Sequence, residues 1–178
     1  WQVAYTIFSA AAFALDALAI AAQALIGKSL GEQDHARVRK VLQRTSAWGL
    51  WFGILVGAGV AAASGVIGIL FTGDPELAAI VQPALLVLAV AQPLCGIVFV
   101  WDGVLIGAGD ARYLAIAGAL NLVPFLPALA LVAIFHPGGA AGLAWLAVAF
   151  FGVYMLARAA TLGWRLRGQT WLGSTLNI

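Results

Sequence analysis

Long apolar runs, each closed by a short connection rich in glycine, proline or charge, repeat from one end of the sequence to the other. The first extends from about Val3 to Gly27 and is interrupted by Asp16 and Gln23. A helix rises about 1.5 Å per residue and needs about 20 apolar residues to cross the hydrocarbon core of a bilayer, so this run predicts one crossing. Runs over about 47–71, 77–106, 112–135 and 140–163 predict four more. Between the first two, Val38, Val41 and Leu42 recur at helical spacing among Lys28, Arg37, Arg39, Lys40 and Arg44. That pattern predicts a separate amphipathic helix over about 34–45, lying along the membrane surface.

The connections carry their own signals. In Thr72-Gly73-Asp74-Pro75-Glu76, Asp74 can cap a helix that starts at Pro75. Pro83 and Pro93 in the third run, and Pro124 and Pro127 in the fourth, predict kinks or local unwinding. Gly107-Ala108-Gly109-Asp110-Ala111-Arg112 makes the next turn, with Asp110 placed to cap the fourth span, and His136-Pro137-Gly138-Gly139 ends that span. The stretch from Ala24 to Asp34 resembles the stretch from Gly103 to Asp110: each leads a helix through glycines into an acidic residue, a hint of internal repetition.

Composition adds exclusions. The chain has 178 residues, 63% hydrophobic and 9% charged, with a mean hydropathy of +1.02. Soluble domains hold about 45–50% apolar and about 25% charged residues, so an ordinary soluble domain is excluded, and disorder with it. The reading is an all-α membrane protein, residues 1–168 forming one bundle and 169–178 a cytoplasmic tail. The single Cys95 excludes an internal disulfide and a thiol-pair metal site. No nucleotide loop, metal cluster or nucleophile triad can be read, so neither an enzyme, a metal, nor a nucleic-acid partner is expected. Five basic residues lie between spans one and two, none between two and three, Arg112 between three and four, none between four and five, and Arg165 and Arg167 after span five. By the positive-inside rule these ends face the cytoplasm of a cell (plasma or inner) membrane, with the amino end outside. An outside start without a signal sequence predicts at least one earlier span.

The informative residues are polar ones inside the apolar runs. Asp16 lies midway along span one, where a charged carboxylate costs about 2.5–3.5 kcal/mol or more, so it must be protonated, paired, hydrated or bound to a cation. This suits proton or sodium coupling; a protonated carboxyl bonded to a neighbouring helix is the plainer alternative. Gln23 follows two turns later on roughly the same face, with Ala12 and Ala19, so the face can line a cavity or pack closely against a neighbouring helix. Asp102 sits about one turn from its helix end, where it can pair with Arg112 or form part of an inner gate. Gln92, Pro93 and Asn121 combine amides with broken helix and can line a cavity or substrate path, or only accommodate a kink. Trp48, Trp51, Trp164 and Trp171 fall near the interfaces and read as anchors.

Two stretches carry a family resemblance: Leu15-Asp16-Ala17-Leu18-Ala19-Ile20-Ala21-Ala22-Gln23-Ala24-Leu25-Ile26-Gly27-Lys28-Ser29-Leu30-Gly31, and Phe99-Val100-Trp101-Asp102-Gly103-Val104-Leu105-Ile106-Gly107-Ala108-Gly109-Asp110. With them the sequence resembles the MATE (multidrug and toxic compound extrusion) family, and within it the branch named for DNA-damage-inducible protein F. The resemblance implies the last five helices of a twelve-helix, two-lobe transporter, a carboxy-terminal lobe lacking its first helix. Its partners would be the bilayer and the amino-terminal lobe of the same protein. It also implies an antiporter that exports organic, often cationic, drugs in exchange for H+ or Na+, with no other cofactor. Family members that place a coupling acid on the tenth helix would have it within 77–107; Gln92, Pro93 and Cys95 stand mid-helix here, and Asp102 lies further inward. Asp16 is the coupling candidate read from the residues themselves.

Three other readings fit the hydropathy. A lipid-linked oligosaccharide flippase of the same superfamily would want a groove dense in cationic side chains, whereas Arg158 alone is interior. An intramembrane aspartyl protease would use Asp110, in Gly-x-Gly-Asp, with Asp16 or Asp102, although Asp110 beside Arg112 reads as a helix cap. A non-transporting membrane subunit would use its polar residues only to hold helices together.

Overall fold

The computed structural model describes residues 1–135 and 138–172; the expected stop at His136-Pro137 and the tail beyond 172 lie outside the described residues. Five helices follow one another: α1 (Gln2–Gly31), α2 (His35–Thr72), α3 (Pro75–Gly107), α4 (Ala111–Phe135) and α5 (Gly139–Arg167). All five are long and apolar enough to cross a membrane, which makes this a multi-pass membrane protein. Their connections are two or three residues where described, so neighbours in sequence run antiparallel.

The basic stretch departs from expectation. No separate surface helix forms over 34–45; it is the first part of α2, one unbroken helix from His35. No Gly or Pro stands between Arg37 and Trp48 to break it, and the Thr45 hydroxyl donates back to the Val41 carbonyl at 2.8 Å, inside the helix. The prolines of α3 and α4 likewise leave helical structure on both sides without an unwound stretch. The irregular place is in α5 instead, where Val148–Tyr154 widens into a π-helix.

α3 is the central helix. α1, α2 and α5 pack around it, while α4 leans on α5 and buries only Ala117 and Asn121. The α2–α3 contact is very close: a β-carbon on Gly96 would overlap the Gly49 carbonyl, and one on Gly53 would overlap that of Gln92. Gly49 and Gly53 are four apart and share a face, the small-residue spacing that lets membrane helices approach closely. Pro93, which has no N–H to offer the Ala89 carbonyl, sits in this crossing, and that carbonyl faces Gly57. α1 docks on α3 in the same manner, with the Ala19 carbonyl against Gly103 and that of Gln23 against Gly107.

The two stretches that look alike in sequence end their helices with the same hydrogen bonds. After α1, Gln33 N–H donates to Leu30 and Asp34 N–H to Ser29; after α3, Gly109 N–H donates to Ile106 and Asp110 N–H to Leu105. Both are Schellman ends, with Gln33 at φ 55° and Gly109 at φ 73° in the left-handed position. Asp34 then caps α2 by accepting from Arg37 N–H at 2.9 Å. The Asp110 carboxylate is engaged by Arg165, as described below.

Candidate functional site

Within the apolar segments, Asp102 of α3 and Arg158 of α5 form an ion pair. Arg158 Nη2 donates to Asp102 Oδ1 at 2.5 Å, and Nε lies 3.4 Å from Oδ2, a two-point grip on one carboxylate. The side chains are only 28% and 15% exposed, so neither charge is spread into bulk solvent. The expectation that Asp102 pairs with Arg112 is therefore corrected. Arg112 starts α4, beyond the turn, whereas Arg158 comes across from α5 at the depth of Asp102 and also lies 3.5 Å from the Leu114 carbonyl.

The pair stands between two cavities of about 450 Å³ each, and both share Phe99, Asp102, Leu114 and Arg158 as walls. The first adds Asp16, Ile20 and Gln23 from α1, brought close because Ala19 rests on Gly103. Asp16 is not covered by the other helices on this face and has no ion-pair partner among the described residues. Two acids, an amide and a guanidinium thus meet around one space. The second cavity is aromatic: Phe8, Phe99, Phe150 and Tyr154 line it. Phe150 and Tyr154 belong to the π segment and stack at 6.1 Å and 20°, with Phe125 edge-on to both at 5.9 and 5.5 Å. A π turn rotates the residues that follow it, and such bulges inside α-helices are frequent at functional sites.

The remaining expected site residues fall elsewhere. Gln92 is fully buried, ten residues and so roughly 15 Å along α3 from Asp102, facing the α2 crossing, and neither its Oε1 nor its Nε2 finds a partner among the described residues. Pro93 belongs to that same helix crossing. Asn121 is buried between α4 and α5, its Oδ1 3.2 Å from the Thr161 hydroxyl, while Tyr113 donates to the Thr161 carbonyl. These two bonds fasten α4 to α5, so Asn121 does not line either cavity. Asp110 accepts from Arg165 Nε at 2.6 Å, and that guanidinium lies 4.8 Å over the Tyr113 ring. Trp171 is also corrected. It is 2% exposed, folded back beneath the last helix with its indole N–H on the Gly168 carbonyl at 3.0 Å, and is no interfacial anchor. Trp48, Trp51 and Trp164 are 67%, 68% and 78% exposed, free to sit at a membrane interface.

Sequence reasoning named Arg158 only as an interior cation and missed its partner. The signal was available: an acid and a base, each too costly alone in an apolar run, near the same membrane depth on different spans. The aromatic wall was not legible, because its ring directions depend on the π segment.

Comparison with known proteins places this arrangement. The chain is 30% identical to Protein DETOXIFICATION 45, chloroplastic, of Arabidopsis thaliana over 98% of its own length, and 29% identical to Protein DETOXIFICATION 42 of the same plant over 93%. Protein DETOXIFICATION 44, chloroplastic, also of Arabidopsis thaliana, is 30% identical over 95%. The chain spans only 30–31% of the length of these relatives. No solved structure matches it. Assignment to one branch rests on the sequence resemblance alone. The MatE family model matches residues 1–131, a stretch that holds α1, α2, α3, most of α4 and both acids of the cavity, and the chain belongs to that family.

Proposed function

We propose that the chain is the carboxy-terminal part of a secondary active transporter that exports small organic solutes, cationic ones among them, in exchange for H+ or Na+. The observation that supports this reading most is the meeting of Asp16, Gln23, Asp102 and Arg158 around one cavity inside apolar helices. The bilayer and the amino-terminal lobe of the same protein are its partners, and the basic helix ends face the cytoplasm.

The chemistry is binding and release. Asp16, uncovered on the cavity face of α1 and without an ion-pair partner among the described residues, is the carboxylate of this cavity open to a cation. Asp102 is already neutralised by Arg158, so a proton or sodium ion that reaches Asp102 competes with the guanidinium. Neutralising Asp102 releases Arg158, and with it the tie between α3 and α5. An ion that binds one arrangement of these helices better than the other shifts the balance between them by its difference in affinity and no more. The aromatic cavity beside the pair offers ring faces to an organic cation, each worth about 0.5–2 kcal/mol when desolvated. No residue is assigned a catalytic role.

The other readings fare worse on the same geometry. A pyrophosphate-bearing lipid would need free cations in the groove, and Arg158 is engaged by Asp102. A protease would need Asp110 beside a second acid, and Asp110 is held by Arg165 outside both cavities. A purely structural subunit has no use for the open space beside Asp16.

The test uses the intact protein in liposomes, with efflux of a fluorescent organic cation driven by a sodium gradient or by a proton gradient, with and without Asp16→Asn. Coupled efflux under one gradient, lost in the variant, is expected. Efflux indifferent to both gradients contradicts the antiporter reading, and unchanged coupled efflux in Asp16→Asn removes that residue from it.

A further inference from the structure

A cleft of about 770 Å³ lies on a different side of the bundle, between the start of α2 and the end of α5, which flank α3 there. Its floor is Trp101. The indole N–H is already spent on the Ser46 hydroxyl at 3.0 Å, and a β-carbon on Gly163 would sit 3.0 Å from the ring, so an apolar ring forms the base of the cleft. Leu42, Ala160 and Leu166 continue the apolar wall. A peptide segment lying here would bury backbone N–H and C=O groups against a surface that offers few partners, at a cost of about 1–3 kcal/mol for each orphaned group. A hydrocarbon chain has no such groups.

The rim has the opposite character. Arg167 lines the cleft, and Arg39 lies one turn before Gln43 on the same side of α2. Neither has a carboxylate partner among the described residues, whereas Lys28, Arg37, Arg158 and Arg165 all do. Depth is marked independently. Trp48 and Trp164, both strongly exposed, stand within a turn of the cleft on its two helices, at the level where indoles meet lipid headgroups. An apolar slot, a rim of two free basic side chains and an aromatic belt at the mouth are complementary to a molecule with an anionic head and a hydrocarbon tail.

We propose that this cleft binds one anionic glycerophospholipid from the leaflet on the basic side, its phosphate between Arg39 and Arg167 and one acyl chain lying over Trp101. Each basic residue near a membrane surface favours an anionic headgroup by roughly fivefold, so the pair gives a preference of roughly 25-fold over a zwitterionic lipid with the same tails. The preference falls as salt is raised, because both rim side chains are exposed.

The test is native mass spectrometry of the intact protein in mild detergent, titrated with phosphatidylglycerol or with phosphatidylcholine of identical acyl chains. One phosphatidylglycerol is expected to be retained preferentially. Arg39→Gln with Arg167→Gln should lower its retention to that of phosphatidylcholine. Ala160→Phe, which fills the cleft from an exposed position, should remove the bound lipid, while Arg112→Gln, another basic residue without a carboxylate partner, should leave it in place. Equal retention of the two lipids overturns the proposal. So does a preference that survives Ala160→Phe, as general attraction to a basic surface would, or retention of glycerol phosphate without tails. A cleft covered by another helix of the same protein would show no lipid loss in any of these variants, and that also overturns it.

Discussion

Removing one member of the Asp102–Arg158 pair is the perturbation with the clearest expected magnitude. At an effective dielectric of about 20, unit charges about 4 Å apart attract by about 4 kcal/mol, and much of that is offset by the water both groups lost. Truncating one partner of a fully buried pair costs about 3–5 kcal/mol, mainly because the other charge is stranded. With side chains 28% and 15% exposed, the stranded group keeps some solvent, so we expect about 2 kcal/mol for Asp102→Asn, roughly a 30-fold fall in the unfolding equilibrium. Arg158→Gln should be the milder change, because a carboxylate without its cation can take up a proton whereas a guanidinium cannot release one. The double variant Asp102→Asn with Arg158→Gln should cost less than the sum of the two, by about 1–3 kcal/mol. The assay is reversible denaturant unfolding of the intact protein in mixed micelles, followed for all four members of the cycle. Strict additivity would refute the reasoning, since it would mean that the two charges do not feel one another.

Other consequences follow from the packing. Gly53→Val must push α2 away from the Gln92 carbonyl, and should cost about 1–3 kcal/mol and lower the yield of folded protein on size-exclusion chromatography. Gly109→Val places a β-branched residue at φ 73° and should cost about 1–2 kcal/mol in the same unfolding assay, whereas Gly109→Asn should be nearly neutral. Cys95 is fully buried, so a membrane-impermeant maleimide should label the protein only after denaturation; rapid labelling of the native protein would contradict the central position of α3.

Much of the bundle was legible because the bilayer forces it to be. A chain without water must satisfy its backbone inside helices, so the apolar runs and the caps at Asp34 and Asp74 mark the helices closely. The surface helix over 34–45 was misread for an instructive reason. Amphipathic spacing shows that a segment has a polar face, and it does not show whether the helix stops; here it runs on, with the Thr45 hydroxyl satisfied within the helix. At the site, the seven-residue spacing of Asp16 and Gln23 was enough to place both on one cavity. The partner of Asp102 was legible only as a matching depth on another span: Arg158 is 56 residues away, and whether the two meet depends on rotation about each helix axis. Gln92 and Asn121 left both options open for the same reason: an amide in an apolar run looks the same whether it faces a cavity or a neighbouring helix.

The central claim is that a carboxylate in the first cavity exchanges Arg158 for a coupling cation. Its most direct measurement compares two modes of transport by Asp102→Asn in proteoliposomes of the intact protein: solute counterflow without an ion gradient, and uphill accumulation driven by one. The account predicts that counterflow persists while gradient-driven accumulation falls to the background of empty vesicles. Uphill accumulation at the wild-type ratio, with Asp102 neutralised permanently, would contradict it.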